Sequence, residues 1–381
     1  MESSLHRGEG HEPEQGLSRR ALLRGGAAAG LTIAAGGILA ACGSAPKSPA
    51  TTATTAAATD GAAVKGGRLR IGIIGGGASE TLNFNQALAE MDTARALNLF
   101  EGLTDFDADG KSYNVLAEEL SPNADASVWT VKVRPDVQFH NGKPLTADDV
   151  VFSLRYMLDP ANKAQGAGSL TGLKAANVRK KDAMTVELRL DRPNAFLSDV
   201  LGDRAVKIFA QGTDFTHPVG TGPFKFESWK RGDRSLFLKH DGYWGGAPNL
   251  DELELVSISD ANARVNALRA GQIDGLSQAD LTLVDTITGD PSLALLEKVG
   301  GQYTALYVDS TAKPFTDNNV RQALRLMCDR EQMVSNALRG KGKIGNDIPC
   351  WFDAFYASDI PQRPHDPEQA KALLKKAGLE N

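Results

Sequence analysis

The sequence predicts an α/β fold with mixed sheets, and three observations carry that prediction. Stretches such as Trp129-Thr130-Val131-Lys132-Val133-Arg134 alternate apolar and polar residues, the period of two of a half-buried strand. Other stretches carry helix start and stop signals around apolar residues spaced three to four apart. Beyond Lys65 the two signatures alternate without a strict repeat. The chain of 381 residues is 41% hydrophobic, enough to build a core and more than one domain.

The N-terminus reads as an address. Ser18-Arg19-Arg20-Ala21-Leu22-Leu23 opens into an Ala/Gly-rich apolar run that ends Leu39-Ala40-Ala41-Cys42. Arg19 and Arg20 form the pair of a twin-arginine export signal. Leu-Ala-Ala-Cys resembles the bacterial lipoprotein processing site, where the Cys42 thiol receives diacylglycerol and becomes the first residue after cleavage. The apolar run is interrupted by Gly30, Gly36 and Gly37 and is too short to span a hydrocarbon core of ~30 Å stably. Residues 1–41 are therefore predicted to be a twin-arginine lipoprotein signal peptide. The mature protein is expected outside the cell, anchored to the outer face of the cytoplasmic membrane. Two or three acyl chains hold a protein lastingly, since each buried CH₂ contributes ~0.8 kcal/mol. Residues 42–64, rich in Ala, Thr and Pro, read as a flexible linker that cannot bury enough apolar surface to order itself.

The folded body follows in order. Trp129 to Arg134 is the first clear strand. Thr146-Ala147-Asp148-Asp149 then places a hydroxyl at a helix N-cap with carboxylates in the first turn, ahead of an inward stripe of Val150, Leu154 and Met157. Val186 to Leu190 and Leu236 to Lys239 are further strands. Asp260 caps a second helix, with Ala261, Val265 and Leu268 on one face and Gly271 past its end. A helix from about Asn319 is predicted to bury Val320, Leu324 and Met327, and Cys328 is expected on its inward stripe. Asp366-Pro367-Glu368-Gln369 starts the last helix, which stops at Gly378.

Composition and motifs exclude several function classes. Forty-two Lys and Arg against 47 Asp and Glu leave a net charge of −5, with no basic block to neutralise a row of phosphates, so nucleic acid is not an expected partner. Three cysteines and six scattered histidines show no C-x-x-C or H-x-x-x-H spacing, so no metal and no cofactor are predicted. No G-x-S-x-G, H-E-x-x-H or G-x-x-x-x-G-K-[ST] occurs. Asp105-x-Asp107-x-Asp109-Gly110 copies the start of a calcium loop, but Leu116 stands where a bidentate Glu belongs, and the segment reads better as a hairpin turn. Gly72 to Gly77 fits no frame of the dinucleotide-binding G-x-G-x-x-G. His140 and His217 each stand beside a turn and read as hydrogen-bonding turn residues.

Several blocks, in order along the chain, resemble the dipeptide/oligopeptide-binding family of extracellular solute receptors. They are Phe100-Glu101-Gly102-Leu103-Thr104, Leu116-Ala117-Glu118-Glu119-Leu120, and the most specific of them, Phe139-His140-Asn141-Gly142-Lys143-Pro144-Leu145-Thr146-Ala147-Asp148-Asp149-Val150. Pro218-Val219-Gly220-Thr221-Gly222-Pro223-Phe224, Asp241-Gly242-Tyr243-Trp244 and Leu268-Arg269-Ala270-Gly271-Gln272-Ile273-Asp274 follow. Pro314-Phe315-Thr316-Asp317 and Asp366-Pro367-Glu368-Gln369 complete the series.

The resemblance implies a two-lobed fold like that of the periplasmic binding proteins (class II), with an extra domain inserted in the first lobe. It implies closure around a ligand by hinge bending. Residues 65–108 and 189–298 would form lobe 1, 109–188 the inserted domain, and 299–381 the start of lobe 2. That lobe is expected to be incomplete, because chains of the family continue past the Asp-Pro-Glu helix.

The implied function is the solute-binding component of an ATP-driven (ABC) importer. Such a receptor is monomeric, does no covalent chemistry, and passes a peptide or similar small solute to permease subunits with their ATPase. Phe84 and Asn85 stand where the family has a turn near the ligand, and Tyr303 and Tyr307 on the strand entering the second lobe. The two tyrosines read equally well as packing residues, whereas Tyr243 and Trp244 read as structural. A secreted, lipid-anchored hydrolase and a ligand sensor are the alternative readings. The residues do not choose among dipeptide, longer peptide, nickel chelate, haem or sugar.

Overall fold

The computed structural model describes residues 64–87, 89–297, 305–348 and 356–380. Arg19, Arg20, Cys42 and Tyr303 lie outside them. Among the described residues the strands are, in chain order, β1 (Arg68–Ile73), β2 (Thr104–Phe106), β3 (Ser112–Asn114), β4 (Ala117–Pro122), β5 (Val128–Val133), β6 (Leu173–Lys180), β7 (Thr185–Leu190), β8 (Phe224–Lys230), β9 (Arg234–Lys239), β10 (Glu252–Ser257) and β11 (Gly275–Leu276). The chain divides into two compact units. The first runs through Ile71, Gly75–Ala108 and Tyr113–Ser257, and the second takes Gly72–Ile74, Asp109–Ser112 and the chain from Ile258 onward. The lobe boundary expected at 298/299 falls within residues 298–304, which lie outside the described residues.

In the first unit β1, β10, β9 and β8 lie side by side in that order, and β10 and β8 both run antiparallel to β9. A second, four-stranded antiparallel sheet is ordered β4-β5-β7-β6. Its register sets Trp129 opposite Leu188 and Val131 opposite Val186, so the period-two alternation of both strands presents one apolar face. The helix Ala147–Leu158 covers that face with Val150, Leu154 and Met157, which are fully buried as their spacing predicts. Each such side chain contributes about 1.5–3 kcal/mol by leaving water. The Thr146 amide and hydroxyl both donate to Asp149 Oδ2 at 3.0 Å, which fixes where the helix begins. The Asp105–Gly110 segment joins β2 to β3 as a hairpin, and Gly110 takes the left-handed conformation (φ +78°) that the turn requires.

In the second unit the caps fall where the sequence places them. Asp260 accepts from the Ala263 amide at 2.7 Å, and Asp366 accepts from the Gln369 amide at 2.9 Å. The helix Asn318–Met327 starts at Asp317, but its buried stripe is Val320, Ala323 and Leu326. The expectation of Val320, Leu324 and Met327 is corrected: Leu324 is half-buried and Met327 is 51% exposed. The reason is the partner helix Pro367–Lys376, whose buried Ala370 packs with Ala323 and Leu326, with Leu373 and Leu374 alongside. Small residues let two helix backbones approach, and that contact sets the rotation of the helix about its axis. Cys328 caps the end of this helix and is partly exposed, its thiol donating to Leu324 O at 3.2 Å, so it does not lie on the inward stripe. Among the described residues no helix is long and apolar enough to cross a membrane.

Candidate functional site

The turn after β1 is held from within by a buried charge cluster. Arg95, on the helix Glu90–Leu99, pairs through Nη1 with Asp92 at 2.7 Å and through Nη2 with Glu80, and its Nε donates to Ser235 Oγ at 2.8 Å. All three charged groups are almost wholly buried. Asp92 also accepts from the Thr81 amide at 3.0 Å, so the helix start and the turn share one carboxylate. Burial pushes the Glu80 pKa up. The bonds from Arg95, Gly232 and Trp229 outweigh it and hold that carboxyl below its ordinary value.

On this support sits the short 3₁₀ turn Phe84–Gln86, begun by Asn83, whose Oδ1 accepts from the Asn85 amide at 3.1 Å. Phe84 is 4% exposed and its ring meets Phe100 at 4.7 Å, Phe209 at 5.6 Å and Phe215 at 5.9 Å between centroids. Asn85 is completely buried. Its backbone carbonyl accepts from the Gln165 amide at 2.8 Å, and its side-chain Oδ1 has no partner among the described residues. Both residues named from the sequence thus face inward in this structure.

Beyond Phe209 and Phe215 lies an open hollow of about 400 Å³ that includes Asp148, Phe152, Arg155, Tyr156, Asn162 and Gln211. Tyr156 stands edge-on to Phe209 at 5.4 Å and lies 5.8 Å from Phe215, and Phe152 lies 5.7 Å from Phe209. The hollow's charged groups already have partners within the protein: Asp148 pairs with Lys180 at 2.6 Å, and Arg155 Nη2 donates to Val178 O at 2.8 Å. The half-buried rings of Phe152 and Tyr156 and the side chains of Asn162 and Gln211 line the hollow together, and Asn162 Nδ2 already donates to Tyr156 O at 2.8 Å. This arrangement can hold a flat or apolar group and hydrogen-bond its polar end. Sequence reasoning missed Phe152 and Tyr156. The available signal was two aromatics four residues apart on the helix, off its Val150/Leu154/Met157 stripe.

Tyr243 and Trp244 serve an internal carboxylate: the tyrosine hydroxyl donates to Glu101 Oε1 at 2.7 Å and the indole N–H to Oε2 at 2.9 Å. Burial raises the Glu101 pKa, and these bonds with the Lys207 charge offset part of that rise. The Arg134 guanidinium lies over the Trp244 ring at 4.6 Å. In the second unit Tyr307 is 77% exposed. A separate open hollow of about 540 Å³ in that unit is lined in part by Arg325, Asn346, Asp347, Arg363 and Gln369. Asp347 there accepts from Arg330 Nε at 3.0 Å and from Arg363 Nε at 2.8 Å.

Residues 111–381 match the family described as bacterial extracellular solute-binding proteins, family 5. The chain is 30% identical to the glutathione-binding protein GsiB of Pectobacterium atrosepticum over 307 residues, covering 75% of this chain and 57% of the relative. It is 31% identical to the heme-binding protein A of Haemophilus influenzae, covering 70% of this chain and 54% of that one. Among solved structures, the oligopeptide-binding protein AppA of Bacillus subtilis in complex with a nonapeptide superposes with a TM-score of 0.69 at 28% identity, covering 82% of this chain and 64% of AppA. The chain thus spans a little over half the length of these curated relatives. The fold is that of the periplasmic binding proteins of this family.

Proposed function

Because the chain belongs to the bacterial extracellular solute-binding proteins, family 5, we propose that it captures a peptide or similar small solute for an ATP-driven importer. It would close around the solute by hinge bending, leave it chemically unchanged and pass it to permease subunits in the membrane. The observation that carries this reading is the match over residues 111–381, supported by the likeness to a receptor solved with a nonapeptide. Relatives that bind glutathione or heme keep the solute class broad. On this reading the solute rests on the rings of Phe152 and Tyr156, which pack through Phe209 and Phe215 onto Phe84. Tyr303 and Tyr307 are the proposed contacts from the segment that enters the second lobe. Calorimetric titration of the full chain with di- to nonapeptides and glutathione tests it. At least one solute is expected to bind at micromolar Kd or tighter, about −8 kcal/mol. Heat from none of them would refute peptide capture.

We also propose that Arg19 and Arg20 direct export and that Cys42 carries the lipid that holds the receptor at the outer face of the cytoplasmic membrane. The support is Leu39-Ala40-Ala41-Cys42 after an apolar run, followed by the Ala/Thr/Pro linker. In the source cells the Cys42→Ala chain is expected to move from the membrane fraction to the soluble one and to lose label from radioactive fatty acid. Unchanged fractionation and labelling would remove the anchor from the account.

A further inference from the structure

His140 and His240 reach one point of the first unit from two separate elements. His140 stands in the turn Phe139–Gly142 that leads to the helix Ala147–Leu158, and His240 follows β9. Their rings meet edge to face with centroids 5.1 Å apart. Both turn toward a single carbonyl: Gly222 O lies 3.0 Å from His140 Nε2 and 3.2 Å from His240 Nδ1. A carbonyl only accepts, so each of these ring nitrogens carries a proton.

The other nitrogen of His140 fixes its charge. The Gly220 amide donates to His140 Nδ1 at 3.1 Å, which requires a bare lone pair there, so the ring is neutral. The His140 backbone N–H donates to Gly220 O at 2.8 Å. Three bonds therefore fasten the turn to the loop Gly220–Gly222. The charged groups facing the pair are Lys225, on β8, and Asp241, beside His240. Among the described residues no carboxylate forms an ion pair with His140, so a proton added to Nδ1 would oppose an amide N–H inside the protein. Burial above all, with His240 and Lys225 adding to it, depresses the His140 pKa to about 4. Burial lowers that of His240 as well.

We propose that the contact of His140, Gly222 and His240 is an acid-sensitive joint, in which neutral imidazoles clamp the Phe139–Gly142 turn to the Gly220–Gly222 loop and protonation of His140 releases it. The release is local and needs no solute, so its test does not depend on the receptor reading. The folded-state value lies below the unfolded one near 6.5, so the joint's contribution is complete above about pH 6.5 and is lost as the pH falls toward 4. In that window each pH unit lowers the folding equilibrium constant by up to about tenfold through this one group.

The test uses the full chain and His140→Gln, which retains a donor for Gly222 and cannot take a charge. Deuterium exchange of the segment around Gly220, corrected for the intrinsic pH effect, is expected to rise at least about tenfold from pH 6.5 to 4.5 in the parent chain and several-fold less in the variant, where His140 no longer titrates. Equal pH dependence in both would overturn the joint. Should the variant not fold, histidine NMR of the parent chain decides: a His140 ring neutral down to about pH 5 supports the joint, and a ring already half charged at pH 6 contradicts it.

Discussion

Replacing Arg95 by Met is expected to cost about 3–5 kcal/mol of stability at neutral pH. The guanidinium pairs with both Glu80 and Asp92 and donates to Ser235, with scarcely any of it exposed. Removing it leaves two carboxylates inside the protein without their counter-ion, and stranded buried charges destabilise far more than an intact buried pair stabilises. The pH dependence separates this cause from a simple packing defect. In the parent chain Glu80 titrates below its ordinary value, so its contribution is present above about pH 4.5 and is lost as the pH falls through the folded-state value. In the variant the partner that lowered the Glu80 pKa is gone and burial dominates, so the deficit should be greatest near neutrality and narrow as Glu80 protonates. Urea unfolding of both proteins at pH 7 and pH 4.5 measures this. A deficit under 1 kcal/mol at pH 7 would show that the cluster does not hold the turn.

Gly220→Ala is expected to cost about 3 kcal/mol or more, against almost nothing for Gly168→Ala. A Cβ on Gly220 would run into the carbonyl oxygen of Leu99 and lie 2.9 Å from Phe100 Cδ1, and backbone cannot step aside as a flexible side chain can. Gly168 has open space at the same position and no unusual backbone angle. Thermal unfolding should therefore separate the two alanine variants by several degrees. Equal midpoints would contradict the close approach of the Gly220–Gly222 loop to the helix Glu90–Leu99. The Gly222 amide donates to Leu99 O at 2.9 Å, so loss of the contact would also disturb the end of that helix and the aromatic cluster beside it.

What the sequence made legible was local. Caps at Thr146, Asp260 and Asp366 depend on a side chain and an amide three residues away, so neighbours in sequence suffice to read them. The alternation in β5 and β7 was readable because one face is buried along its whole length. The stripe of Asn318–Met327 was misread because its rotation is set by a helix about 45 residues later, and single-sequence periodicity fits Val320-Leu324-Met327 nearly as well as Val320-Ala323-Leu326. The candidate site was harder still. Phe84, Phe100, Phe152, Tyr156, Phe209 and Phe215 are scattered across more than a hundred residues, and no local pattern announces that their rings meet. The family resemblance pointed to the turn at Phe84 and Asn85. It could not show that both side chains are buried there while Phe152 and Tyr156 keep part of their surface.

The central claim is capture without chemistry, and native mass spectrometry of the full chain as purified tests it most directly. The account predicts a fraction of molecules heavier by the mass of one small solute, released on unfolding and recovered unaltered. It also predicts that peptides added in excess come back intact after prolonged incubation. A chain that carries no solute and shifts in mass with none supplied, or one that returns added peptides cleaved, would contradict it.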